Sequence, residues 1–350
     1  MEDYNYKNNI DKHGSIIPPK DFSQFETGNI VTINKNMLNL LNLCIRVAKT
    51  NAPIIVYGES GVGKEMVAEL IHQNSNRTNQ PFVKLNCSAI PENLLESEFF
   101  GYEPGAFTGA LKTGKQGIIE LANKGTLLLD EIGEMPVNLQ PKLLRFLQNG
   151  KYTKVGGYEE LFSDVRVISA TNKSLEHRID AGLFREDLYF RLNVIPINIP
   201  PLRKRKEDIP ILALYFLDYY NQYYNMDKKV SVKVMENLID YEWPGNVREL
   251  KNVIERLALI SLDKTITEED LTYSSFATKK YNTIEKKNYE QSYEFDEKLS
   301  LKEIVANYEI KVILNSVKRY GSIRKAARVL QVSPSTLSRK ISTYFENNKD

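Results

Sequence analysis

The chain has 350 residues with 47 Lys and Arg against 45 Asp and Glu, a net charge of +2, so whole-chain electrostatics give no case for nucleic acid. Its 42% hydrophobic and 26% charged content is that of a globular protein long enough for two or three domains. Cys44 and Cys87 are the two cysteines, and His13, His72 and His177 are scattered; this excludes a disulfide framework and a zinc-ligand spacing and fits a reducing, cytoplasmic setting.

Residues 1–27 are polar around "IIPPK" and read as an N-terminal tail. They lack the basic-then-apolar order of a signal peptide, and no apolar run in the chain approaches a membrane span, so no membrane is expected. Dense pattern runs over 28–262. There "APIIVYG", "FVKLN", "GTLLLD", "VRVISA" and "VIPINIP" are short apolar runs separated by helical or irregular sequence, which predicts an α/β fold with a buried parallel sheet. The pattern then turns helical in "EDIPILALYFLDYYNQYY" and "GNVRELKNVIERLALI". Residues 263–298 are polar and poor in aliphatics and read as a linker.

"VYGESGVGKE" follows the first of these strands and opens a helix. Gly58, Gly61 and Gly63 let the backbone curl around phosphate oxygens with its N–H groups, Glu59, Ser60 and Val62 complete the loop, and Lys64 reaches the β- and γ-phosphates. The bland alternative is a glycine turn. Glu65 stands where a Ser or Thr hydroxyl usually touches magnesium, so the metal must be held by other groups. "GTLLLDEIGEMP" supplies them: Asp130 to hold magnesium and Glu131 to polarise the water that attacks the γ-phosphate. Thr171 and Asn172, at the end of "VRVISATN", either position phosphate or water or simply cap the next turn.

These motifs, with "GAFTGA" at 105–110, "GLFREDLYFRLNVIPINIPPLRKRKEDIP" and "WPGNVRELKNVIER", resemble the central domain of the bacterial enhancer-binding proteins, the AAA+ ATPases that activate sigma-54 RNA polymerase. Val62 and "NKGT" depart from the family's usual residues without removing a ligand. The resemblance implies an AAA+ P-loop sheet with a helical lid, binding ATP and magnesium and assembling as a homo-oligomer, a hexameric ring. It implies further roles: Asn86 holds the catalytic glutamate, Arg185 and Arg191 serve a neighbour's γ-phosphate, and Arg248 senses nucleotide from the lid. It also assigns Gly105, Ala106, Phe107, Thr108, Gly109 and Ala110 to the tip of a mobile loop that touches the sigma-54 RNA polymerase holoenzyme, supported by a second loop near 150–157. Read without the family, Arg185 and Arg191 are surface arginines and the glycine-bounded Phe107 is a buried turn.

From residue 301 onward ten Lys and Arg stand against four Asp and Glu, a local net of +6. Residues 299–350 carry helical pattern broken at Gly321 and at "VSPS", with Ser333 as a cap and Pro334 in the first turn that follows. This has the form of a helix-turn-helix and resembles the small all-α Fis-like DNA-binding domain of the same activators, with Gln331 where the turn usually has glycine. Ser335, Thr336, Ser338, Arg339 and Lys340 would face double-stranded DNA at upstream enhancer sites, the unit acting as a dimer. A dimerising helical hairpin is the alternative for this unit. For the whole chain the alternatives are an AAA+ chaperone or unfoldase and a repressor with a degenerate ATPase.

Overall fold

Strands β1 (Ile54–Tyr57), β2 (Phe82–Asn86), β3 (Thr126–Asp130), β4 (Arg166–Thr171) and β5 (Ile195–Asn198) form one parallel sheet in the order β5-β1-β4-β3-β2. This arrangement comes from a computed structural model that describes residues 6–12, 14–107, 113–273, 309–310, 312–314, 316–317 and 321–347. The middle strands β3 and β4 are apolar on both faces because both faces are covered; Leu127, Leu128, Leu129, Ile168 and Ala170 are all buried. Helices α1 (Lys35–Ala48) and α2 (Lys64–Gln73) cover one face through Met37, Leu41, Val67 and Ile71. In α1 the buried Met37, Leu41, Cys44 and Ala48 recur at four, three and four residues, and Asn34 caps the start by accepting the Met37 amide at 2.8 Å. Helices α3 (Glu92–Phe100), α4 (Gln140–Asn149) and α5 (Glu186–Leu192) cover the other face through Phe99, Leu143, Phe146 and Leu188.

Parallel register aligns the strand ends. Asn86 on β2 lies opposite Asp130 on β3, and Thr171 on β4 lies opposite Tyr57 on β1. The residues expected to do chemistry therefore collect at one edge, where the strands release their chains into loops.

The lid comprises α6 (Asp208–Tyr224), α7 (Val232–Asp240), α8 (Asn246–Ile260) and α9 (Glu268–Tyr273). Two expectations are corrected here. Residues 6–27 are not a free tail: Ser15–Ile16 pairs antiparallel with Val230–Ser231, Lys229 bonds Asp11 at 3.1 Å, and Tyr6, Ile16 and Phe25 enter the lid core. Nor does the linker begin at 263, because Thr265–Ile266 pairs with Lys229–Val230 and Ile266 and Leu271 are buried with the lid. In both segments the buried residues stand singly in polar sequence, too sparse to leave a periodic signal. The rest of the expected linker, 274–298, lies outside the described residues.

The chain divides into two compact units, residues 1–281 and 282–350. In the second, α10 (Ile323–Val329) and α11 (Pro334–Asn347) pack through Ala326, Ala327 and Leu337 against Ile310 and Ile313. Between them Gln331 takes φ +54°, the left-handed turn where glycine is usual.

Candidate functional site

Gly61 and Gly63 adopt φ +81° and +101°, curling the loop between β1 and α2 as the sequence predicts. Space as well as φ requires glycine at 61: a Cβ there would lie 2.3 Å from the Gly245 carbonyl of the lid. Lys64 opens α2 and is buried. Its ammonium donates to the Gly58 carbonyl at 3.0 Å and to Glu131 Oε1 at 3.4 Å. Glu131 leaves β3 in a left-handed conformation, φ +50°, with its amide on Asp130 Oδ1 at 3.0 Å. Burial and then the neighbouring Glu131 charge push the Asp130 carboxyl up from its ordinary range, so this corner favours added positive charge.

Several expected residues meet here with partners the sequence does not reveal. Asn86 Nδ2 faces Asp130 Oδ2 at 3.5 Å, and Asn86 Oδ1 accepts from the Ser88 amide and hydroxyl. Glu131 is instead held by Lys64 and by the Asn172 amide, which donates to Oε2 at 3.2 Å. Thr171 is buried and accepts the Lys173 amide at 3.1 Å. Glu65 points to Lys84, at 2.6 Å. Arg248 donates from its amide to the Gly61 carbonyl at 3.2 Å and from Nη1 to Ser60 Oγ at 3.0 Å.

A cavity of about 830 Å³ joins this corner to the lid. Ser60–Met66, Asp130, Glu131 and Arg248 line it. So do Lys251, Asn252 and Glu255 of α8, together with Ile30, Val31, Leu212, Tyr215, Phe216 and Tyr219, which the sequence reading missed. Their one signal is in "ILALYFLDYY", where apolar and aromatic residues exceed what a single buried face needs. A lining that combines a glycine loop and its lysine with aromatic and aliphatic side chains suits a purine nucleotide.

Arg185, at the N-cap of α5, and Arg191, on α5, are exposed. Arg185 pairs with Asp187 at 2.7 Å, and Arg191 donates to the Leu147 carbonyl at 2.7 and 3.1 Å. Neither lines the cavity of its own subunit. Gly101–Tyr102 pairs antiparallel with Lys115–Gln116 to form a stem for "GAFTGA". Phe107 packs edge-on against Tyr102 with ring centres 5.0 Å apart and stays 43% exposed. Thr108, Gly109 and Ala110 lie outside the described residues. The expected second loop does touch the first: the Glu103 amide donates to the Val155 carbonyl at 3.0 Å, and Gly156 abuts Ala106.

On α11, Ser335, Ser338 and Arg339 are exposed. Thr336 is half-buried with its hydroxyl on Ser333 at 2.7 Å, and Lys340 pairs with Glu309 at 2.6 Å. Ser335 also shares a hydrogen bond with Ser333 Oγ, at 2.8 Å, so three of the five residues expected at DNA already have protein partners. No helix among the described residues is long and apolar enough to cross a membrane.

A five-stranded parallel sheet of this order, a phosphate loop after strand β1 and a helical lid closing one cavity define an AAA+ type of ATPase domain. The sigma-54 interaction domain family matches residues 30–198, the AAA+ ATPase lid domain family 203–288, and a helix-turn-helix domain family 298–345. The chain is 47% identical to the regulatory protein AtoC of Escherichia coli over 71% of its own length and 54% of AtoC. It is 44% identical to a protein encoded 5′ of HyuA in Pseudomonas sp., over 85% of this chain and 99% of that one. Crystal structures of NtrX from Brucella abortus match at 33% identity and a TM-score of 0.68, covering 89% of this chain and 68% of NtrX. The chain belongs to the family of sigma-54-dependent transcriptional activators. It spans about half the length of several curated relatives, AtoC and the Nif-specific regulatory protein of Azotobacter vinelandii among them. The joint match to a sigma-54 interaction domain and a helix-turn-helix domain decides against the unfoldase alternative.

Proposed function

We propose that the chain hydrolyses ATP, with magnesium, to remodel the sigma-54 RNA polymerase holoenzyme at promoters while its C-terminal unit holds upstream double-stranded DNA. The observation that carries this reading is the cavity that brings Lys64, Asp130, Glu131 and Arg248 together with Tyr215, Phe216 and Tyr219 in one lining. NtrX, which shares the fold, has been crystallised with ADP and with ATP.

In this reading the Gly61–Lys64 amides and the Lys64 ammonium hold the β- and γ-phosphates, displacing Lys64 from the Gly58 carbonyl. Glu131, already oriented by Asn172 and Lys64, takes the proton of the attacking water. Asn86 orients Asp130, and Thr171 fixes the strand end that presents Asn172. Magnesium, when bound, neutralises charge on the phosphate oxygens. The residues suit it, since one carboxylate plus phosphate oxygens and water is a donor set magnesium accepts, and a cation relieves the burial penalty on Asp130. Arg185 and Arg191, exposed and not lining the cavity of their own subunit, serve the site of an adjacent copy in a ring, which we take to be a hexamer. Residues 105–110 form the contact with sigma-54.

Ser335, Ser338 and Arg339 read DNA from a dimeric C-terminal unit, with Thr336 supporting the helix start and Lys340 released from Glu309 on contact. The functional divisions we propose are the ATPase domain with its lid over 28–262, a linker within 263–298 and the DNA-binding unit over 299–350. Residues 6–27 and 265–273 are counted with the lid on the packing described above. ATP-dependent open-complex formation by purified sigma-54 polymerase tests the reading. Its absence with active, DNA-bound protein would refute it.

A further inference from the structure

Asn246 begins the lid helix α8 inside "WPGNVREL", two residues before Arg248, and the sequence assigns it no role of its own. It is fully buried at φ +52°, a left-handed conformation that Asn tolerates better than most residues. Its side chain has three partners. Nδ2 donates to Glu59 Oε2 at 3.2 Å and to the Ser60 carbonyl at 3.0 Å, and Oδ1 accepts the Leu202 amide at 2.8 Å. From the other side Arg203 clamps Glu59 with two guanidinium nitrogens, at 2.7 and 2.5 Å. One turn of helix carries both Asn246 and Arg248, and Arg248 meets the same loop through Ser60 Oγ and the Gly61 carbonyl.

We propose that Asn246 is a positioning residue that locks the lid to the phosphate loop through Glu59 and Ser60 and thereby sets Arg248 against that loop in the cavity. The proposal rests on the reading of that cavity as an ATP site. The physical case is one of rigid geometry. Gly245 and Gly61 already touch backbone to backbone, so the lid has no slack there and its tilt is decided by which directed bonds the corner makes. Asn246 makes two of these bonds to the loop, and a buried amide that loses them is left unsatisfied, so the two bodies move together. Any shift at 246 is passed to Arg248 with no intervening joint.

The test is a double-mutant cycle on ATP affinity, measured by titration calorimetry on the full chain. Asn246→Asp keeps the size, tolerates the backbone and still accepts from Leu202, but turns an oxygen toward the Glu59 carboxylate and the Ser60 carbonyl. It is expected to weaken ATP roughly tenfold or more. Combined with Arg248→Ala, it should add little, because both act through the same contact. Glu59→Gln placed in the Asn246→Asp background should recover part of the affinity, since the new amide donates to the introduced carboxylate. Asn246→Gly, which suits the left-handed backbone and removes only the side chain, serves the same cycle if the aspartate variant does not fold. Parent-like affinity in the single variants, or losses at 246 and 248 that simply add, would overturn the proposal. A parent chain that binds no ATP would overturn the nucleotide-site reading itself.

Discussion

The Lys64 ammonium lies 3.4 Å from the Glu131 carboxylate and 3.0 Å from the Gly58 carbonyl. The corner is thus closed on itself, the buried Lys64 cation shared between a loop oxygen and the expected base. Binding must trade these contacts for phosphate oxygens. Lys64→Ala should therefore abolish measurable ATP binding. Glu131→Gln should keep it, since phosphate contacts survive, while turnover falls by roughly 10²–10⁴-fold for want of a base. Equilibrium binding and phosphate release on the two variants check this, and normal turnover in Glu131→Gln would remove Glu131 from the chemistry.

Arg185 and Arg191 are exposed and do not line the cavity, one pairing with Asp187 and the other donating to the Leu147 carbonyl. If they act on an adjacent copy, specific ATPase activity should rise with protein concentration until the ring is filled. Arg191→Ala should lose turnover yet bind ATP as the parent does. Mixing Arg191→Ala with Lys64→Ala subunits should restore some activity, because an intact site and an intact finger meet at some interfaces. Constant specific activity on dilution through ring dissociation would contradict the shared site.

Glu59 is held down to about 2 by its hydrogen bonds to Arg203, helped by Asn246. A carboxylate with a depressed folded-state pKa contributes stability that is complete above its unfolded value, 4.5, and is lost as pH falls toward 2. With its side chain 42% exposed, solvent screening limits the effect to about 1 kcal/mol or less. The parent should thus melt higher than Glu59→Gln at pH 6, and the two should converge between pH 4.5 and 2. A gap that stays constant through that window would show that Glu59 titrates no differently when folded.

The parallel sheet, the phosphate loop and the acidic pair are legible in the sequence because each is a dense local pattern. Five apolar runs, three glycines before Lys64, and Asp130–Glu131 at a strand end all lie within short windows. The site's remaining half is not local. Ile30 comes from one stretch of chain and Leu212 and Tyr215 from another to make one wall, and Asn246 reaches Glu59 across 187 positions of sequence. Ile16 and Leu271 likewise become core only because the lid offers them a place, and nothing in their own neighbourhoods says so. Asn86 marks the complementary case. The family resemblance places it on the glutamate, while parallel register sets it opposite Asp130.

Gln331 occupies the left-handed turn between α10 and α11 at φ +54°. A side chain there costs about 1–2 kcal/mol relative to glycine, less the entropy glycine loses on folding. Gln331→Gly should stabilise the C-terminal unit by about 1 kcal/mol. Amide exchange at Ala326 and Ala327 should slow by roughly fivefold, with no change in the ATPase domain. Faster exchange in the variant would mean that the Gln331 side chain contributes something that its backbone strain conceals.

Phe107 rests edge-on against Tyr102, and Gly156 of the second loop abuts Ala106 beside it. The motif is therefore held at its base by two elements, neither of which lines the cavity proposed for ATP. That separation predicts variants in which fuel consumption and work come apart. Thr108→Ala removes one hydroxyl at the tip, and Phe107→Ala removes the apolar anchor. Gly156→Ala acts one step back: its Cβ would stand 2.7 Å from the Ala106 Cβ on a backbone at φ +73°, so the two loops must separate. All three should keep ATPase activity within about twofold and leave DNA binding unchanged, because the phosphate loop and α11 are untouched. Open-complex formation should fall by at least tenfold in each, since roughly 1.4 kcal/mol of lost contact is enough for that. The decisive assay measures ATP turnover, enhancer binding and promoter opening on one preparation. Full promoter opening by Phe107→Ala and Thr108→Ala would return the motif to an ordinary turn. Full opening by Gly156→Ala alone would leave the motif its role and deny the second loop any part in presenting it.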